Sequence, residues 1–122
     1  MSVAFENGVR CSIAVIEVVG GAALTQCLHA VRQFDAECIA VVRKSSSPLV
    51  ESVSGVQLLQ CDEAVPLRRR RAIEFATGEL VVLIEDTTLP NINFMEGLRA
   101  VFSDAHSAAA SGPIVILSLI HI

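Results

Sequence analysis

The stretch ELVVLIED, residues 79–86, decides the fold, because a short apolar run ends there in two adjacent carboxylates. A run this short and this continuously apolar is typical of a β-strand covered on both faces. Three further segments of the same kind precede it. They are residues 12–19 (SIAVIEVV), 37–42 (ECIAVV) and 55–60 (GVQLLQ). The sequence therefore predicts four buried strands.

Segments with helical periodicity alternate with these strands. A helix over residues 22–34 is predicted to bury one face, made of Leu24, Cys27, Leu28 and Val31. A helix over 66–77 is predicted to face the sheet with Leu67, Ala72, Ile73 and Ala76, and to end at Gly78. Residues 44–48 are predicted to be a serine-rich loop. After Pro90, with Asn91 or Asn93 as the cap, a third helix is predicted over 94–102, with its apolar face at Met95, Leu98, Val101 and Phe102.

Repeated βα units with strands buried on both sides predict an α/β fold. We expect a mostly parallel, right-handed, doubly wound sheet flanked by helices. A chain of 122 residues makes at most one domain, and 52% hydrophobic against 18% charged residues excludes a disordered chain. The net charge of −4 argues against a nucleic-acid-binding protein.

The cysteines and the apolar runs indicate the compartment. Four cysteines occur without a C-x-x-C pair and among apolar neighbours, which favours buried reduced thiols over disulfides. The first ten residues contain no apolar core of the kind found in a signal peptide, and no run reaches the roughly 18 apolar residues of a spanning helix. We therefore expect a cytoplasmic protein.

Polar residues follow three of the predicted strands, at residues 17–21, 43–47 and 85–88. In doubly wound sheets, ligands bind beyond the carboxyl ends of the strands. Glu85 and Asp86 can bind a divalent cation there, and the cation can neutralise a diphosphate. The alternative is that both are solvated loop carboxylates, with Asp86 capping a turn.

Residues 66–102 (PLRRRRAIEFATGELVVLIEDTTLPNINFMEGLRAVF) resemble a segment of family 2 glycosyltransferases, which have the GT-A fold, a Rossmann-like variant. The matching features are A-T-G-E at residues 76–79, the apolar strand, the acidic motif and Pro90. The likeness extends over roughly residues 12–116. It implies transfer of a sugar from a nucleotide-diphosphate donor to an acceptor. It also implies that Asp86, with Glu85 second, holds Mg²⁺ or Mn²⁺ against the diphosphate.

The resemblance carries over to further single positions. Arg69 stands at the arginine of the family's A-R-N-x-G segment, near the diphosphate, and Val18 and Arg43 stand at donor-binding positions after the first two strands. Arg43-Lys44 replaces the acids expected there, so the local charge is reversed, and Thr87 replaces the last acid of the D-x-D-like motif. Because four consecutive helical residues span all faces, residues 68–71 cannot all contact one ligand. Their alternative role is a solvated basic face.

Residues 1–116 are interpreted as the incomplete nucleotide-sugar-binding part of a GT-A-like domain, cut after about the fifth strand. One codon choice for residues 117–122 (LSLIHI) spells a sequencing adapter, and the alternative is an ordinary apolar strand. The family's catalytic base follows the fifth strand, so the catalytic residue is unassigned and we expect this piece to bind without turnover.

The expected ligands are a nucleotide-diphosphate sugar and an unidentified acceptor, with no nucleic acid. Association of the parent protein with the cytoplasmic face of a membrane is left open. The rival function is a degenerate, non-catalytic GT-A-like binding or interaction module. It is favoured by the changed residues after the first two strands and by Thr87. A flavodoxin-like nucleotide binder is the third alternative.

Overall fold

The computed structural model describes residues 10–34, 36–88, 109–110 and 114–118. Six strands and three α-helices lie in these ranges. In chain order they are β1 (Cys11–Ile16), α1 (Gly21–Val31), β2 (Glu37–Val42), α2 (Ser47–Glu51), β3 (Gln57–Gln60), α3 (Val65–Phe75), β4 (Leu80–Glu85), β5 (Ala109–Ala110) and β6 (Ile114–Ser118). A 3₁₀ turn, Lys44–Ser46, leads into α2.

The strands form one sheet in the order β3-β2-β1-β4-β6-β5. The first four are parallel to one another. β6 runs antiparallel to β4, with Ile114 opposite Ile84, and β5 runs antiparallel to β6. The predicted α/β fold with a mostly parallel sheet is confirmed, and the Rossmann-like arrangement explains why the central strands are apolar on both faces.

The two faces of the sheet are covered by different helices. On one face, α1 and α2 pack against alternate residues of the four parallel strands, and the predicted apolar face of α1 is buried as expected. On the other face, α3 packs against the intervening residues. The connection that follows β1 therefore crosses one face of the sheet, and the connection that precedes β4 crosses the other face. The crevice between the carboxyl ends of β1 and β4 is therefore the topological switch point, where ligands bind in such folds.

The buried face of α3 differs from the prediction. Leu67 is 40% exposed, whereas Arg68 is 8% exposed. Arg68 shares a helical stripe with Val65 and Ala72, and Leu67 lies about 100° away from Arg68 around the axis. The prediction for Leu67 is therefore wrong, because it assumed that an apolar residue takes the inner position over a charged neighbour.

Gly78 also has a different role from the predicted one. Helix α3 ends at Phe75, and Ala76 is already extended at φ −64°, ψ 141°. Gly78 is not among the glycines with positive φ, so it is not a left-handed helix terminator. A Cβ at Gly78 would lie 2.7 Å from the backbone nitrogen of Ser12 and 2.9 Å from the carbonyl carbon of Cys11. The glycine is needed for close approach to β1.

Other boundaries shift. β1 stops at Ile16 rather than at residue 19, and residues 44–48, predicted as a loop, hold the 3₁₀ turn and the start of α2. Pro48 stands in the first turn of α2, where its missing N–H costs no hydrogen bond. Leu117 and Ser118, the first residues of the suspected adapter, belong to β6. The predicted helix over 94–102, Pro90 and the Asn caps lie outside the described residues.

All four cysteines are free and buried, as predicted. Burial raises the pKa of the Cys11 and Cys27 thiols to about 12 and that of Cys38 to about 11. These three thiols are therefore protonated at neutral pH and poorly nucleophilic. Within the described ranges, no helix has the length and apolar character needed to cross a bilayer.

Candidate functional site at the carboxyl edge of the sheet

Asp86, the residue after β4, is 2% exposed and accepts hydrogen bonds from three backbone N–H groups. Its Oδ1 accepts from Val18 and Val19, both at 3.1 Å, and its Oδ2 accepts from Val19 at 3.2 Å and Gly20 at 2.7 Å. Gly20 is the N-cap of α1, which has no side-chain cap and no acidic residue in its first turn. Asp86 therefore holds the turn before α1 and places a negative charge beside the N-terminus of the helix, where the helix dipole favours it.

Glu17, directly after β1, is a fully buried carboxylate that sequence reasoning did not single out. It accepts hydrogen bonds from the Arg43 backbone N–H at 2.8 Å, from Arg43 Nε at 3.3 Å and Nη2 at 3.4 Å, and from the Ser46 hydroxyl. Burial by itself would raise the pKa of Glu17, but the hydrogen bonds from Ser46 and Arg43 outweigh it, so the pKa lies below its ordinary value. The turn after β1 is thereby joined to the turn after β2.

Gly20 makes this arrangement possible. Its φ is +81°, in the left-handed region, and a Cβ there would lie 2.5 Å from Glu17 Oε2. A side chain at Gly20 would meet both backbone strain and the buried carboxylate. Of the two adjacent glycines, Gly20 and Gly21, it is therefore Gly20 that the geometry of this turn requires.

The four consecutive arginines divide into three environments. Arg68 is buried and donates to backbone carbonyls, from Nε to Glu63 at 2.8 Å and from Nη1 to Glu17. Arg69 pairs with Glu85, the last residue of β4, at 3.2 Å, and both side chains are about two-fifths exposed. Arg70 and Arg71 lie at the surface, where each pairs with Glu74. The four arginines therefore point to different surroundings, as expected for consecutive residues of a helix.

The structure places all five predicted site residues at one edge of the sheet. Val18 contacts Asp86, Arg69 contacts Glu85, and Arg43 joins the same edge through Glu17. Arg43 and Arg69 keep 44% and 40% of their side chains exposed, so each guanidinium can also meet solvent or a ligand. Such paired but accessible arginines can donate to phosphate oxygens.

The two carboxylates of the acidic motif differ in their fit to a divalent cation. Both oxygens of Asp86 are engaged by N–H groups, so a cation could bind Asp86 only by displacing the turn. Glu85 gives one oxygen to Arg69 and remains accessible. In the described part of the chain, no group of three His, Cys, Asp or Glu side chains could hold a metal. Mg²⁺ is commonly held by one or two carboxylates together with substrate phosphates, and Glu85 fits that use.

A second polar cluster, the amino-edge cluster, lies at the opposite end of the parallel strands. It consists of the buried Glu37 and Ser12 and the exposed Thr77 and Gln57. Glu37 Oε1 accepts from the Ser12 hydroxyl at 2.7 Å and the Thr77 N–H at 3.0 Å. Its Oε2 accepts from the Thr77 hydroxyl at 2.8 Å and Gln57 Nε2 at 3.1 Å. Ser12 Oγ in turn accepts from the Gly78 N–H at 2.8 Å. Thr77 and Gly78 of the A-T-G-E segment therefore have structural roles away from the carboxyl edge.

The carboxyl-edge residues that sequence reasoning missed are Glu17 and the buried Arg68. A weak signal existed for Glu17, since an acid that ends an apolar strand lies at the ligand-binding edge. No such signal distinguished Arg68, because all four residues of its run are arginines. No known protein-family model matches this sequence, and no curated protein matches it either.

Proposed function

We propose that this chain is the nucleotide-sugar-binding part of a glycosyltransferase-like protein. The observation that carries the proposal is the convergence of Val18, Arg43, Arg69, Glu85 and Asp86 on one edge of the sheet, around the switch point between β1 and β4. Doubly wound sheets bind nucleotides at that position. The resemblance of residues 66–102 to family 2 glycosyltransferases supports a sugar nucleotide as the ligand.

In this proposal, Arg69 and Glu85 meet the diphosphate. Their ion pair is partly exposed and therefore weak, so the guanidinium can exchange part of its contact with Glu85 for phosphate oxygens at little cost. A divalent cation, Mg²⁺ or Mn²⁺, would neutralise the diphosphate charge, with Glu85 as its protein ligand. Arg43 is held by Glu17 and offers its remaining donors to the nucleotide.

The Arg69→Ala variant tests the proposal by titration of UDP and GDP, with and without Mn²⁺, into the full-length protein. We expect its affinity for the nucleotide to fall by roughly tenfold or more, because a charge-assisted hydrogen bond contributes about 1.5–3 kcal/mol. Arg70→Ala is the matched control, since Arg70 is the next residue of α3 and pairs only with Glu74 among the described residues. Its affinity should stay within about twofold of wild type.

Equal losses in Arg69→Ala and Arg70→Ala would contradict a phosphate-binding role for Arg69. Absence of binding for both nucleotides would favour the second candidate, a degenerate, non-catalytic GT-A-like module. One observation favours that candidate: the charges that remain at the edge are largely satisfied internally, Arg43 by Glu17 and Asp86 by backbone N–H groups.

A further inference from the structure

The peptide unit between Glu17 and Val18 is held from both of its sides. Its carbonyl oxygen accepts a hydrogen bond from Arg68 Nη1, and its N–H donates to Asp86 Oδ1 at 3.1 Å. A peptide unit is planar, so fixing both its oxygen and its nitrogen fixes the orientation of the whole plane. The guanidinium of Arg68 comes from α3, and the carboxylate of Asp86 comes from the end of β4. Both hold the turn that follows β1.

Arg68 is an unusual residue to bury for packing alone. It is 8% exposed, and none of the ion pairs in the described residues includes it. Its partners are instead two backbone carbonyls, those of Glu17 and Glu63. Burial of a charge is costly, and the rigid fork of a guanidinium can bridge two fixed acceptors where a flexible ammonium cannot.

The clamp determines which part of the turn faces outward. The N–H groups of Val18, Val19 and Gly20 point inward to Asp86, and the side chains of Val18 and Val19 are 42% and 59% exposed. The turn therefore offers apolar side chains, rather than amide donors, to a molecule that binds at the carboxyl edge. The charged side chains that stay accessible at this edge are those of Arg69, Glu85 and Arg43.

We propose that Arg68 and Asp86 are positioning residues of the nucleotide site. They clamp the Glu17–Val18 peptide and hold Val18 and Val19 outward as an apolar wall, and neither contacts the ligand or a cation. This proposal rests on the proposed function above. It departs from the role that the resemblance implies for Asp86, because Asp86 acts through the turn and Glu85 alone serves the cation.

The Asp86→Asn and Glu85→Gln variants of the full-length protein separate the two roles. The measured quantity is the ratio of nucleotide affinity with and without Mn²⁺, for UDP and GDP. We expect Asp86→Asn to weaken binding by a similar factor under both conditions, so that the ratio stays within about twofold of wild type. Glu85→Gln is expected to remove the effect of Mn²⁺. Loss of the effect in Asp86→Asn would show that Asp86 is a cation ligand and overturn the proposal.

Amide hydrogen exchange tests the clamp without any ligand, by NMR. In the wild-type protein, the amides of Val18, Val19 and Gly20 are expected to be protected although they lie in a turn with exposed side chains. Asp86→Asn and Arg68→Lys should each accelerate exchange there and leave the Thr77 amide, in the amino-edge cluster, unchanged. Unprotected turn amides in the wild type would overturn the clamp. If UDP and GDP do not bind at all, the proposed function fails while the exchange result still decides the clamp.

Discussion

The Glu37→Ala variant is expected to lose about 1.5–3 kcal/mol of its free energy of unfolding, which is a large share of the stability of a domain this size. Glu37 is 6% exposed, and its two oxygens accept from Ser12, Thr77 and Gln57. Alanine would remove the acceptor of the buried Ser12 hydroxyl, and one unsatisfied buried donor costs about 1–3 kcal/mol. Thr77 and Gln57 are exposed, so their donors can turn to water instead. Urea denaturation followed by circular dichroism measures the loss.

The control for this variant is Glu79→Ala. Glu79 precedes β4 and pairs with Arg10 at 3.7 Å, with about half of each side chain exposed. Its removal should change the free energy of unfolding by less than about 0.5 kcal/mol. Glu37→Gln, which keeps one acceptor oxygen, should fall between the two. A Glu37→Ala variant as stable as Glu79→Ala would show that the amino-edge cluster does not support the sheet.

The Glu37 carboxylate also makes the free energy of unfolding depend on pH in the acidic range. Burial alone would raise the pKa of Glu37, but the hydrogen bonds from Ser12, Thr77 and Gln57 outweigh it and lower the pKa, as for Glu17. The folded protein therefore binds fewer protons than the unfolded chain, whose glutamates have a pKa of about 4.3. The stabilisation is complete above that pKa and is lost as the pH falls towards the lowered folded values. Melting temperatures should fall below about pH 5, and less steeply in Glu37→Gln.

The Gly78→Ala variant is expected to lose about 3 kcal/mol or more, at the upper end of the range for overpacking. The added methyl would lie 2.5 Å from Ser12 Oγ, 2.7 Å from Ser12 N and 2.9 Å from the Cys11 carbonyl carbon. Two of these atoms belong to the backbone of the central strand β1, which is hydrogen-bonded on both sides and cannot move aside. The displaced Ser12 hydroxyl would also lose its geometry with Glu37.

Gly21→Ala is the matched glycine control for this prediction. Gly21 has a positive φ of 56°, but a Cβ there would meet nothing within 4 Å. It should therefore cost only the left-handed backbone strain, roughly 1–2 kcal/mol. The comparison, made by thermal or urea unfolding, separates strain from collision. If Gly78→Ala proved no more costly than Gly21→Ala, β1 would have to tolerate displacement at its amino end.

Most of the secondary structure could be predicted because it follows from local apolar periodicity. β2 has the predicted bounds, and the inner face of α1 consists of the four predicted residues. The carboxyl edge could be chosen as the candidate site because parallel strands bring their ends together. The antiparallel direction of β6 could not be predicted, since its pairing with β4 depends on a connection that its own residues do not determine.

The polar interior could not be predicted because its partners are distant in sequence. Arg68 is buried on account of a carbonyl 51 residues away, and Glu37 bonds side chains 20 to 40 residues away. Periodicity assigns charged residues to the surface and cannot anticipate such contacts. For the same reason, the apolar periodicity of α3 predicts Leu67 at the sheet, whereas the structure buries Arg68 instead.

The hydrogen bonds from the turn before α1 to Asp86 also have a consequence for biosynthesis. The carboxylate that satisfies the Gly20 N–H lies 66 residues further along the chain. At a synthesis rate of about 5–20 residues per second, this turn leaves the ribosome several seconds before Asp86 does. The nascent turn therefore cannot form these hydrogen bonds until β4 has joined β1. Chaperones and proteases therefore meet an open β1–α1 turn during that interval.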